Sequence, residues 1–207
     1  MSSQMDFSQV ISNRHSVREY DSSVVISQEE IKEMIQEASL APSSCNLQPW
    51  RCLVFKDKQA KKDLKKIAYN QDCIETSSAV IAILGDIDMY KNAEAIYKST
   101  YEAGYIDEEM MKTNVEKYTE LFSKASIESR AQSVSFDAGL FSMQLMLVAK
   151  SRGYDTVTIG GFDKIKFIDT FDIDDRYLPI VLIALGKAAS PAFKTTRLPV
   201  DKITSFI

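Results

Sequence analysis

Two stretches decide how this chain is read: Asn13-Arg14-His15-Ser16-Val17-Arg18-Glu19-Tyr20, and Ala41-Pro42-Ser43-Ser44-Cys45-Asn46-Leu47-Gln48-Pro49-Trp50. In extended backbone, side chains alternate, so Arg14, Ser16 and Arg18 fall on one face, two guanidinium forks flanking a hydroxyl. Arginine donates bidentately and keeps its charge, which suits this face to a phosphate. The plainer alternative is a solvated loop with rim salt bridges to Glu19 or Asp21. The second stretch is full of hydroxyls and amides and fenced by Pro42 and Pro49. It is either a rigid ligand-bearing loop or a connector whose Ser and Asn bond local backbone.

The elements around these stretches alternate in period. Phe7, Val10 and Ile11 predict a short first helix. Ser27 and Glu30 form an S-x-x-E capping box ahead of Ile31, Met34, Ile35 and Ala38 at helical spacing, and Pro42 stops that pattern. Trp50–Phe55 reads as a strand. About Lys58 to Ala68 reads as an amphipathic helix, with Leu64 and Ile67 inward and the lysines at 56, 58, 61, 62, 65 and 66 on its solvated side. Ala79–Leu84 reads as a buried strand. Residues 88–130, charged and proline-free, predict one or two exposed helices. A long helix from about Ala131 to Ser151, apolar almost all round in its second half, predicts a central element capped by Gly153. A strand at Thr156–Ile159, a helix near Asp163–Phe171 and a strand at Leu178–Leu185 follow. Residues 187–207 have no helical period and carry two prolines. Laying this tail across a partner subunit is one way to bury Phe193, Leu198, Val200, Ile203 and Phe206, which favours a homodimer.

Composition excludes several classes. The 25 basic and 29 acidic residues leave a charge of −4, the wrong sign for broad nucleic-acid binding. A single histidine, His15, cannot build the common zinc motifs. The seven glycines contain neither a G-x-G-x-x-G nor a P-loop pattern. Three cysteines without a C-x-x-C pair fit reduced, structurally buried thiols, and the run Ala138–Ala149 is too short to span a bilayer. The expectation is one cytoplasmic domain over residues 1–207, with 88–130 as a variable helical insertion and 187–207 as an extended tail.

R-H-S-V-R-x-Y followed by A-P-S-S-x-N-x-Q-P-W resembles the nitroreductase family of FMN-dependent oxidoreductases. The resemblance continues at Thr158-Ile159-Gly160-Gly161-Phe162-Asp163, similar to the family's loop under the flavin, and at Thr196-Arg197-Leu198-Pro199. It implies an α+β, three-layer fold with a mixed central sheet flanked by helices, assembled as a homodimer that exchanges its C-terminal tails. It also implies that Arg14, His15 and Ser16 hold the FMN phosphate and ribityl chain, with Arg197 adding a second cation. Arg18 would sit against flavin N1 and the C2 carbonyl, where the reduced ring gathers negative charge. Pro42, Ser43, Ser44 and Asn46 would reach the partner's FMN. Asn70 or Gln71 would bond the pyrimidine edge, and Ile159, Gly160 and Gly161 would lie at N5, glycine allowing close backbone approach. Where many relatives carry Glu before the second glycine of the flavin loop, this chain has Gly160, so only the backbone role transfers. Thr195 likewise stands at the lysine position of the tail motif, with Lys194 one residue earlier. The implied reaction is ping-pong transfer from NADH or NADPH to a small-molecule acceptor such as a nitroaromatic or quinone. Specialised chemistry (dehalogenation, enone reduction, flavin fragmentation) and a non-catalytic flavin-binding role are the alternatives.

Overall fold

The run Ala79-Val80-Ile81-Ala82-Ile83-Leu84 is apolar without alternation because both faces of its strand are covered. In the computed structural model, which describes residues 5–207, it forms the core of β2 (Ala79–Asp86). Met1–Gln4 lie outside the described residues. With β1 (Trp50–Phe55), β3 (Asp155–Ile159) and β4 (Tyr177–Gly186), β2 makes a four-stranded sheet in the order β1-β2-β4-β3. Neighbouring strands pair antiparallel throughout. The four strands thus form an antiparallel sheet where a mixed one was expected, and the one parallel pairing among the described residues is an isolated bridge outside them, Ser16 to Thr156, made by the segment that runs along the edge of β3.

Val80, Ala82 and Leu84 face one helical layer, formed by α3 (Lys58–Ile67), α4 (Asp72–Thr76) and α8 (Lys164–Phe171). Ala79, Ile81 and Ile83 face the other, formed by α2 (Gln28–Ala38) and α7 (Ile127–Ser151), where Trp50 stacks on Phe141 at 5.1 Å. A short α1 (Phe7–Asn13) packs on α7. The segment 88–130 supplies α5 (Ala93–Glu102), α6 (Glu108–Lys124) and the first turn of α7. Exposure is incomplete there: Met89, Ala93 and Tyr97 join Leu47 and Val134 in a third apolar cluster.

Several local choices follow from sequence chemistry. Ser27 accepts from the Glu30 N–H to start α2. Ser126 accepts from the Ser129 N–H and so begins α7 four residues before the apolar period does. Gly153, at φ +83°, turns the chain out of α7. Pro179 is tolerated in an internal strand because the register slips beside it, between Ile83 and Leu84. Gly85 is needed where α7 crosses β2, since a Cβ there would lie 2.0 Å from Val134 Cγ1. The lysine-rich helix departs from a plain solvated face. Lys61 is only 7% exposed, and its ammonium donates to the carbonyls of Glu75 (3.1 Å) and Ser77 (2.6 Å), fastening α3 to the end of α4. The five-residue α4 is too short to show a period in the sequence.

Candidate functional site

Arg14 closes α1 with an extended backbone, and the chain then runs along the free edge of β3. The Val17 N–H donates to the Thr156 carbonyl at 3.1 Å, and farther on Tyr20 bridges to Ala188. The predicted alternation holds at the centre: Val17 is buried, whereas Ser16 is half-buried and Arg18 exposed. Tyr20 turns inward and donates to the Ala184 carbonyl, its ring filling the space that a side chain at residue 186 would take. Among the described residues the Arg14 and Arg18 guanidiniums form neither an ion pair nor a side-chain hydrogen bond, so rim salt bridges to Glu19 or Asp21 are absent. Burial pushes the Tyr20 phenol and the Cys73 thiol up, while the nearby Arg18 charge pulls each down.

β3 ends at Ile159 and delivers Gly160-Gly161, both exposed, with open space where a Cβ would stand on either. The loop after α3 meets this turn. The Gln71 amide donates to the Gly161 carbonyl at 3.2 Å, and the Asp163 N–H donates to the Ile67 carbonyl. Gln71 therefore holds the glycine turn in place, whereas Asn70 next to it stays exposed. Tyr69 and Asn70 have left-handed backbone, at φ +53° and +59°.

The other motif lies at the opposite edge of the sheet. The Ala41–Pro49 loop leads into β1, three strand spacings from β3, or roughly 14 Å. Pro42, Ser43, Ser44 and Asn46 thus stand apart from Arg14–Arg18 and Gly160–Gly161 within one chain. This loop too is left-handed without glycine, at Cys45 (φ +50°), Asn46 (+53°) and Gln48 (+48°). Five of the six described non-glycine residues with positive φ lie in these two loops. Such backbone persists only where its surroundings hold it. Here the Ser44 N–H and hydroxyl donate to the two Asp137 oxygens at 3.0 and 3.2 Å. The Tyr97 hydroxyl donates to the Cys45 carbonyl at 2.9 Å, and the Gln48 N–H to Ser43 Oγ at 3.0 Å. Behind the loop, fully buried Asp86 accepts from Arg176 Nε and Nη2 at 2.6 and 2.7 Å and from Arg51 at 3.3 Å. Arg51 also donates to the Gln48 carbonyl, and Asn92 to that of Leu47.

Sequence reasoning passed over Asp137 and Asp86. The signal for Asp137 was its place between Val134 and Phe141, on the inward stripe of an apolar helix. Asp86 ends a continuous apolar strand, which carries no comparable mark. The thiols are less uniform than their expected burial: Cys73 is buried, Cys45 and Cys52 half-buried. Burial raises the Cys45 thiol and pushes Cys52 up to about 12. Arg197 lies in an exposed tail, and its side-chain hydrogen bonds go to Thr195 and Thr196. No helix among the described residues is long and apolar enough to cross a membrane.

The profile of the nitroreductase family matches residues 11–187. YdgI of Bacillus subtilis, named as a putative NAD(P)H nitroreductase, is 41% identical over 203 residues, 97% of either chain. The CLA biosynthesis enone reductase of Lactiplantibacillus plantarum is 35% identical, over 98% of this chain and 94% of its own. A protein of Exiguobacterium sibiricum crystallised in complex with FMN superposes with a TM-score of 0.95 at 40% identity, covering 98% of both chains. With both motifs in place on the expected fold, the chain belongs to the nitroreductase family.

Proposed function

We propose that this protein is an FMN-dependent oxidoreductase that uses NADH or NADPH and works as a homodimer in the cytoplasm. The observation that carries the reading is the pair of guanidiniums, Arg14 and Arg18, unpaired among the described residues, on a segment registered through Ser16 on β3, the strand that leads into the open backbone of Gly160-Gly161. These residues fit FMN: cations without internal partners suit a phosphate and an electron-rich ring edge, and bare glycine backbone suits a flat ring. Arg14, His15 and Ser16 would hold the phosphate and ribityl chain, and Arg18 would face N1 and the C2 carbonyl. Ile159, Gly160 and Gly161 would line the ring at N5. Asn70 would bond the pyrimidine edge, because the Gln71 amide is already committed to Gly161.

Bound FMN would supply a two-electron relay, taking a hydride from the nicotinamide and handing two electrons to an electron-poor acceptor such as a nitroaromatic or quinone in a ping-pong cycle. The chain's part is to bind, orient and shield, with Arg18 as a fixed positive charge where negative charge gathers.

A single chain cannot bring Pro42, Ser43, Ser44 and Asn46 to its own Gly160-Gly161, which supports completion of each site by the partner subunit. The tail supports the same reading. Phe193, Leu198, Val200, Ile203 and Phe206 are all at least 65% exposed, and burying each would contribute about 1.5–3 kcal/mol. Crossing to the partner would also carry Arg197 to the phosphate, a place it does not reach within its own chain.

The test is a visible spectrum of the purified protein followed by anaerobic addition of NADH and then NADPH. Flavin bands that bleach support the oxidoreductase. Bands that persist favour a non-reductase flavoprotein, and failure to bind FMN even after reconstitution overturns the proposal.

A further inference from the structure

We propose that Asp137 is a positioning residue acting across the dimer interface: by holding Ser44, it presets the Ser43–Asn46 backbone for the partner subunit's FMN. The inference rests on the reading above that this loop reaches that FMN. Cys45, Asn46 and Gln48 each sit in left-handed backbone, which is unfavourable for a residue with a side chain. Without restraint the loop would relax. Cys45, Leu47 and Gln48 are tied through their own backbone groups to Tyr97, Asn92 and Ser43. Ser44 is held to the helical layer through Asp137.

The geometry is specific. Asp137 is 1% exposed, and among the described residues both side-chain oxygens serve Ser44, one taking the N–H and the other the hydroxyl proton. The Ser44 hydroxyl therefore has its proton committed inward, and its lone pairs remain to accept from a ligand donor such as a hydroxyl or ring N–H. Burial pushes the Asp137 carboxyl up and the two Ser44 hydrogen bonds pull it down. Removing a carboxylate from water is costly, so a group whose hydrogen bonds all go to one loop residue is poorly explained as a contributor to stability.

The experiment measures FMN dissociation constants by fluorescence titration for full-length Asp137→Ala, Asp137→Asn and Asn46→Ala dimers, and for mixed dimers of Asp137→Ala with Arg14→Ala. Asp137→Ala is expected to weaken FMN about tenfold. Asp137→Asn, whose oxygen still accepts the Ser44 N–H while its NH2 faces Ser44 Oγ, should stay within about threefold of the parent. The mixed dimer should bind one FMN at the parent affinity. One of its sites takes Arg14 from one chain and an Asp137-held loop from the other, and a general folding defect would not produce that recovery. Where Asp137→Ala does not form a folded dimer, Asp137→Leu, which fills the space, takes its place. An unchanged constant for the alanine or leucine variant overturns the proposal, as does a mixed dimer with no tight site. Asn46→Ala separates the two levels: if it leaves FMN binding unchanged, the reading of the loop fails and the proposal with it. If Asn46→Ala weakens FMN and Asp137→Ala does not, the role of Asp137 alone fails.

Discussion

The Arg14–Arg18 segment and the Ser43–Gln48 loop are both polar, both at sheet edges and both legible as motifs, yet they are built on opposite principles. The first is fixed through its backbone, by the Val17 N–H on β3 and the Tyr20 bridge, and leaves its cations without partners among the described residues. The second holds strained backbone through bonds from Ser44 to buried Asp137, from Tyr97 to the Cys45 carbonyl, and from Arg51, itself paired with buried Asp86, to the Gln48 carbonyl. Free charge on a rigid track is what an anionic ligand needs, because no existing ion pair has to break first. A strained loop needs the reverse arrangement, since each unsupported left-handed residue would relax.

If that contrast is right, substitutions on the two sides should divide between stability and ligand affinity. The largest effect is expected at Asp86. Asp86→Ala leaves Arg176 and Arg51 facing one another without their shared acceptor, and should cost about 3–5 kcal/mol in chemical denaturation. A loss below 1 kcal/mol would mean that the loop is not anchored through this hub. On the other side, Arg14→Ala should weaken FMN by about two orders of magnitude and leave the apo melting temperature unchanged. Full FMN retention in that variant would remove Arg14 from the phosphate site. Asn70→Ala and Gln71→Ala sharpen the comparison within one loop. The first should weaken FMN several-fold, on the order of 1 kcal/mol of binding. The second should disturb binding less and instead increase hydrogen exchange at Gly160-Gly161. The reverse ranking would show that Gln71 gives up Gly161 for the flavin.

The smallest effect concerns pH. A hydrogen bond from Lys91, with the Arg130 and Arg176 charges behind it, holds the Asp88 carboxyl below its ordinary value of 3.8. A depressed carboxyl stabilises the fold above that ordinary value, and the contribution disappears as pH falls through the lowered one. Asp88→Asn should therefore lower the melting temperature at neutral pH by on the order of 1–3 °C. The difference should close in acid, and one that persisted at pH 2 would have a non-electrostatic cause.

What the sequence determined by itself was local. Hydrophobic period and caps placed α1, α2, α3, α8, most of α7 and all four strands to within a few residues, because burial and capping act over one or two turns of chain, whereas residues 88–130 read only as one or two helices without bounds for α5 and α6. Missing were α4, which is shorter than a readable period, and the early start of α7, which rests on Ser126 rather than on apolar spacing. The two motifs were legible because their residue types carry chemistry wherever the chain takes them. Tertiary structure alone decided that they stand at opposite edges of one sheet, that Gln71 rather than Asn70 is committed to the glycine turn, and that Asp137 and Asp86 support the loop. Each depends on residues far apart in sequence: Ser44 and Asp137 are 93 positions apart, Asp86 and Arg176 90. Pairing at that separation is set by how β2, β4 and α7 pack, and no local period encodes it.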